Sequence, residues 1–160
     1  MLQRRMANEI ERKFRVDPTW HPPGEGTAFE QGYLNTAPER TVRVRIEGDR
    51  AKLTIKGASA GISRPEFEYD IPLDDARQLL GLCEPSVVTK RRHVVEHAGK
   101  EWEVDVFGGD NEGLIVAELE LAAEHETFER PPWLRDEVSD DRRYYNSQLA
   151  KNPYRSWDQR

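Results

Sequence analysis

Charged and apolar residues alternate one by one in segment after segment of this chain, and few architectures can use so many strands of that kind. Successive side chains of a β-strand point to opposite faces. From Glu9 to Val16, Glu9, Glu11, Lys13 and Arg15 therefore share one face and Ile10, Phe14 and Val16 the other, with Arg12 as the exception. Arg43 and Arg45 oppose Val42, Val44 and Ile46, and Lys52, Thr54 and Lys56 oppose Leu53 and Ile55. Arg64, Glu66, Glu68 and Asp70 stand against Phe67, Tyr69 and Ile71, and Lys90 shares a face with Arg92. Glu101, Glu103 and Asp105 oppose Trp102, Val104 and Val106, while Glu118 and Glu120 oppose Leu119 and Leu121.

One such segment is an ordinary half-buried strand with a wet face. Many of them, with both signs of charge on the same face, leave two architectures open. The first is an open sheet whose charged side looks into water. The second is a closed barrel whose apolar side faces outward to helices and whose charged side lines the lumen; closure also removes exposed strand edges. Apolar residues make up only 36% of the 160 residues and charged ones 34%, so much of that charge lies either on the surface or inside such a lumen.

The turn signals divide the chain into about eight strands. These are Glu9 to Val16, Phe29 to Asn35, Thr41 to Glu47, Lys52 to Lys56, Arg64 to Ile71, Val87 to Glu96, Glu101 to Phe107 and Leu114 to Ala122. Gly48-Asp49 and Ala98-Gly99 read as hairpin turns. Asp74 is placed to cap a short helix through Leu80, and Ser139 to cap a last helix over about 139–150. The expectation is one α+β domain over 1–160, without repeats or a dividing linker.

The formal net charge of −6 argues against a general nucleic-acid binder. Cys83 is the only cysteine, so an intrachain disulfide is excluded and a reducing compartment is expected. The stretch Met1-Leu2-Gln3-Arg4-Arg5-Met6 has no apolar run of a secretory leader, and no segment has the length of a membrane span. The expected setting is cytoplasmic, with no membrane partner; a homodimer is compatible with the sequence.

A charged lumen is costly unless its charges are paired, hydrated or bound to a ligand. Lysine and arginine neutralise phosphate oxygens, and carboxylates two apart on a strand collect a hard divalent cation that bridges to phosphates. Glu9/Glu11 and Glu118/Glu120 are the two cleanest carboxylate pairs. Other motifs carry less. His93 and His97 lack a third ligand, and Ser59 and Ser63 around Gly61 do not form a Walker loop. Cys83 reads as a small buried hydrophobe on the first helix, Trp20, Trp102 and Trp133 as packing outside the sheet, and Arg142 and Arg143 as a solvated helix face.

Glu9-Ile10-Glu11-Arg12-Lys13 resembles the E-x-E-x-K signature of the CYTH superfamily, the triphosphate tunnel metalloenzymes. The resemblance runs on in order through Gln31-Gly32-Tyr33-Leu34, Val42-Arg43-Val44-Arg45, Lys52-Leu53-Thr54-Ile55-Lys56 and Ser63-Arg64-Pro65-Glu66-Phe67-Glu68. It continues through Lys90-Arg91-Arg92, Glu103-Val104-Asp105-Val106-Phe107, Glu118-Leu119-Glu120 and Asp141-Arg142-Arg143-Tyr144-Tyr145-Asn146, and so covers nearly the whole chain. It implies an eight-stranded antiparallel tunnel that binds triphosphate along its axis. By similarity Glu9, Glu11, Glu118 and Glu120 would hold Mg²⁺ or Mn²⁺, with Asp105 and Glu103 nearby. Lys13, Arg43, Arg45, Lys52, Lys90 and Arg92 would grip phosphates, joined by Lys56 and Arg64, and Tyr33 would line the tunnel. Short members of this shape look like inorganic tripolyphosphatases, which sets inorganic triphosphate, or a small molecule bearing a triphosphate, as the expected partner. Class IV adenylyl cyclases and thiamine triphosphatases share the signature, and a polyphosphate-binding module without turnover is the alternative outside enzymes.

Overall fold

The computed structural model describes residues 8–158. Residues 1–7, where the sequence leads one to expect no leader, lie outside them. The described residues form nine strands: β1 (Asn8–Val16), β2 (Thr27–Asn35), β3 (Arg40–Glu47), β4 (Arg50–Gly57), β5 (Ser63–Ile71), β6 (Val88–His97), β7 (Lys100–Phe107), β8 (Ile115–Glu120) and β9 (Leu134–Glu137). Their order is β5-β4-β3-β2-β6-β7-β8-β1-β9, and a further pairing of β5 with β1 closes the first eight into a barrel. All these pairings are antiparallel. Of the two architectures, the closed one is therefore the one formed.

Closure depends on β1 changing neighbours along its length. Asn8 to Ile10 pair with β5, whereas Phe14 and Val16 pair with β9 on that same edge. The short ninth strand has no alternating signature in the sequence, and it covers the edge of β1 that β5 leaves free. The hairpins are tight because their residues accept positive φ: Ala98 and Gly99 both do (50° and 79°), as a type I′ turn requires.

Outside the barrel three coverings bury the apolar faces. The helix α1 (Leu73–Leu80) buries Ala76 against Val44 and Ala51, with Leu53 and Ile71 around them. Its cap is Pro72; Asp74 lies in the first turn, where it favours the helix dipole without capping. Cys83 falls just past this helix and is half-buried against Gly32; a Cβ at Gly32 would lie 2.7 Å from that of Cys83. The segment after β8 lays Phe128 and Trp133 over Phe14, Trp102 and Leu119, so Trp102 and Trp133 do pack outside the barrel, joined by Trp20.

The third covering differs from expectation. Instead of one helix over about 139–150, the chain makes a 3₁₀ turn at Arg142–Tyr144, capped by Asp141, and a single helical turn, α2 (Asn146–Leu149). Ser139 caps nothing helical; its hydroxyl accepts from the Lys13 amide (2.9 Å) and donates to Glu137 (2.7 Å). Val138, Tyr144, Leu149 and Trp157 pack with Tyr33, Val88, Phe107 and Val116. By strand alternation those four barrel residues lie on the same strand faces as Gln31, Lys90, Asp105 and Glu118. The carboxy-terminal segment thus plugs part of one barrel end from inside, and the lumen there is apolar rather than charged.

Candidate active site in the barrel lumen

Two cavities open from opposite ends of the lumen and share Glu9, Glu11, Arg43, Arg45, Lys56 and Glu118 along their walls. The register explains the convergence. Glu11 lies across from Glu120 and Lys13 from Glu118, while Arg45 lies across from Lys52 and Arg43 from Thr54. Lys13, Tyr33 and Arg64 line only the plugged end; Lys52, Arg92, Glu103 and Glu120 line only the other. Thirteen of the fifteen sequence-expected site residues therefore reach this space.

Lys90 and Asp105 do not. Their side chains are 0% exposed and 2.7 Å apart. Asp105 also accepts a fork from Arg92, 2.8 Å from Nε and 2.9 Å from Nη2, and Lys90 donates to the side-chain Oδ1 of Asn146 at 2.9 Å. The cause is the plug: Asn146 seals Lys90 from the cavity and is held in turn by Gln31 (3.1 Å). Asp105 is thus a buried anchor for two cations, with each of its oxygens engaged by at least one of them. Burial opposes its ionisation, but Arg92 and Lys90 hold its pKa down to about 2. For Lys90 burial dominates: only partly offset by Asp105 and reinforced by Arg92 and Arg45, it brings the pKa down to about 7. Glu103, on the same strand face, is 40% exposed and pairs with Arg92 (3.2 Å).

The cations crowd one another. Burial, Arg43 and Arg92 lower the pKa of Arg45 to about 10. Arg45 donates to Gln31 (2.8 Å), and Arg43 donates to Thr54 (3.1 Å) while its Nε is buried without a hydrogen-bond partner. The Phe29 ring packs among them, 4.9 Å from Arg45 and 4.8 Å from Arg92. Phe29, Gln31 and Asn146 contact the site's charged groups, and sequence reasoning did not single them out. Phe29 and Gln31 were legible as the lumen parity of Tyr33; Asn146 had no such signal.

The carboxylates crowd too. Burial and then Glu118 and Glu9 push Glu11 well above the usual range, and Glu11 shares a hydrogen bond with Glu118. Burial would raise Glu118 as well, but Lys13 and Arg92 hold it low. Glu9 is likewise held low against burial by Lys56, whose Nζ lies 2.7 Å from Oε2; that oxygen is buried without a hydrogen bond. These are hard oxygen donors under mutual repulsion, a set that suits a divalent cation in kind. Among the described residues no three such groups already stand at ligating distance.

A closed antiparallel barrel with basic and acidic walls facing across one axis defines a polyanion-binding tunnel. The chain belongs to the CYTH domain family, whose model matches residues 7–149. It is 45% identical over 154 residues to the inorganic triphosphatase of Acetivibrio thermocellus, covering 95% of this chain and 99% of that protein. It is 36% identical over 148 residues to the inorganic triphosphatase of Nitrosomonas europaea, covering 89% and 96%. The crystal structure of the inorganic triphosphatase NE1496 superposes with a TM-score of 0.65 at 34% identity, over 91% of this chain and 95% of that one.

Proposed function

We propose that this protein hydrolyses inorganic triphosphate to pyrophosphate and phosphate inside the tunnel, with Mg²⁺ or Mn²⁺ as the cofactor. The observation that carries this reading is the crowding of Arg43, Arg45 and Arg92 around one lumen, with an unpartnered buried Arg43 Nε and a depressed Arg45 pKa. Desolvated like charges persist at a cost that a bound polyanion removes, and guanidinium forks match phosphate oxygens. The names of the two relatives supply the substrate class.

In this reading Arg43, Arg45, Lys52, Lys56 and Lys13 neutralise the phosphates, Arg64 meets the chain at one mouth, and Tyr33 lines its path. Glu9, Glu11, Glu118 and Glu120 hold the cation, with Glu103 at the open rim. When bound, the divalent ion would offset negative charge that builds on the phosphate oxygens. Arg92 faces the phosphates from the open end with its fork fixed by Asp105, and Lys90 acts from behind, fixing Asn146 and the plug. Phosphoryl transfer asks for such positioning and charge neutralisation more than for covalent participation. Enclosure by the plug keeps bulk water from competing with the polar groups of the wall.

The test is phosphate release from tripolyphosphate, ATP and thiamine triphosphate, with Mg²⁺, Mn²⁺ or a chelator. Rapid release from tripolyphosphate that the chelator abolishes is the expected result. Cyclic AMP formed from ATP, or metal-dependent binding without release from any of the three, would replace this reading.

A further inference from the structure

The two ends of the lumen differ in charge, and the difference assigns them different roles. The charged residues confined to the open end are Glu47, Glu66, Glu68, Glu103 and Glu120, against Lys52 and Arg92. Those confined to the plugged end are Lys13 and Arg64, with no carboxylate among them. Beside that second end lies a separate vestibule of about 260 Å³, which shares Thr41, Ser59, Arg64, Tyr145 and Ser147 with the tunnel wall and adds Arg142.

Both arginines there are available to an anion. Arg64 donates to the carbonyls of Gly57 (3.0 Å) and Pro38 (3.3 Å) and to the Thr41 hydroxyl (3.5 Å), all neutral acceptors. Arg142 is exposed, and among the described residues no carboxylate lies at ion-pair distance from it. Its neighbour Arg143, by contrast, is committed to Asp141 (2.7 Å). Of the acids near Arg142, Glu39 on the vestibule wall pairs with Arg40 (3.0 Å), Glu137 with Arg12 (2.5 Å), Asp136 with Arg15 (3.7 Å) and Asp141 with Arg143 (2.7 Å), while Asp140 is exposed with no cation at ion-pair distance among the described residues.

We propose that the phosphate chain is admitted through this vestibule, with Arg142 as an electrostatic capture residue and Arg64 passing the anion into the tunnel, while the acid-rich opposite mouth repels it. The inference rests on the triphosphate reading of the site and adds the direction of access. A long-range charge effect of this kind acts on the association rate, leaves the bound state little changed, and fades as salt screens it.

The test measures tripolyphosphate association by stopped flow, in competition with a fluorophore-labelled triphosphate, alongside kcat and kcat/KM. Arg142→Glu is expected to slow association and lower kcat/KM about five-fold at low ionic strength, with kcat kept and the deficit falling below about two-fold near 0.5 M salt. Asp70→Arg, an exposed position at the acid-rich end across from Lys52, is expected to leave both rates as they are. An Arg142→Glu rate equal to wild type, or a gain from Asp70→Arg as large as the expected loss, overturns the proposal. Wild-type protein that associates with tripolyphosphate but releases no phosphate would sink the hydrolytic reading alone, and the association rates would still decide the route. Absence of any association would overturn both.

Discussion

Asp105→Asn separates a buried anchor from a metal ligand, because the two roles predict different losses. Asp105 is 0% exposed and answers two cations, Lys90 at 2.7 Å and Arg92 at 2.8 Å. Its pKa drop from 3.8 to about 2 corresponds to about 2 kcal/mol in favour of the charged, folded form. Removing one partner of a buried ion pair costs about 3–5 kcal/mol; here Lys90 would lose its carboxylate and Arg92 would be left with Glu103. The expected destabilisation is thus about 2–5 kcal/mol at neutral pH, a Tm lower by roughly 5–20 °C in a chain of this size. The sign with pH follows from the depressed pKa. The contribution is fully present above about 4 and is lost as pH falls through about 2, so the gap between variant and wild type narrows on acidification. Glu103→Gln, at a 40% exposed side chain with one cation contact, is the comparison and should cost about 1 kcal/mol or less. Thermal unfolding without added metal, at pH 7 and pH 3, reads all of this. An Asp105→Asn Tm within about 1 °C of wild type would refute the anchor role and return Asp105 to the ligand set.

Glu9→Gln is expected to keep the fold and lose about a hundred-fold or more in turnover, with weaker Mg²⁺ or Mn²⁺ binding by calorimetry; an unchanged rate at saturating metal removes Glu9 from the cation site. Asn146→Ala leaves Lys90 Nζ and Gln31 Nε2 each short of a partner, at 2.9 and 3.1 Å respectively, and should cost about 1–3 kcal/mol in denaturant titration. No change in midpoint would mean that the plug does not depend on this contact. Arg45→Met relieves the crowding that lowers the Arg45 pKa, so the ligand-free barrel should lose no more than about 1 kcal/mol despite the lost Gln31 bond, while KM for tripolyphosphate rises. A normal KM would mean that Arg45 does not touch the substrate.

Alternation made the barrel wall legible. Lys13, Arg43, Lys52 and Glu118 could be assigned to one face from parity alone, because a one-residue shift would put every charge on the wrong side. Parity says nothing about depth along the axis, and that is where Lys90 and Asp105 departed from expectation: they share the face of the site but lie under the plug. The plug itself was misread as a helix over about 139–150. Its residues pack by tertiary contact of Tyr144, Leu149 and Trp157 with the barrel end rather than by a helical stripe. The strand Leu134–Glu137, with the pattern Leu-Arg-Asp-Glu, carries no alternation at all and exists because β1 presents it a free edge.

The central claim is that a phosphate chain occupies the barrel axis between the arginines and the paired glutamates. A crystal structure with tripolyphosphate and a divalent ion tests it most directly. The account predicts phosphate oxygens within hydrogen-bond reach of Arg43 and Arg45 and the ion on Glu9, Glu11 or Glu118. Tripolyphosphate bound on the outer wall, with the lumen cations still paired as they are now, would contradict it.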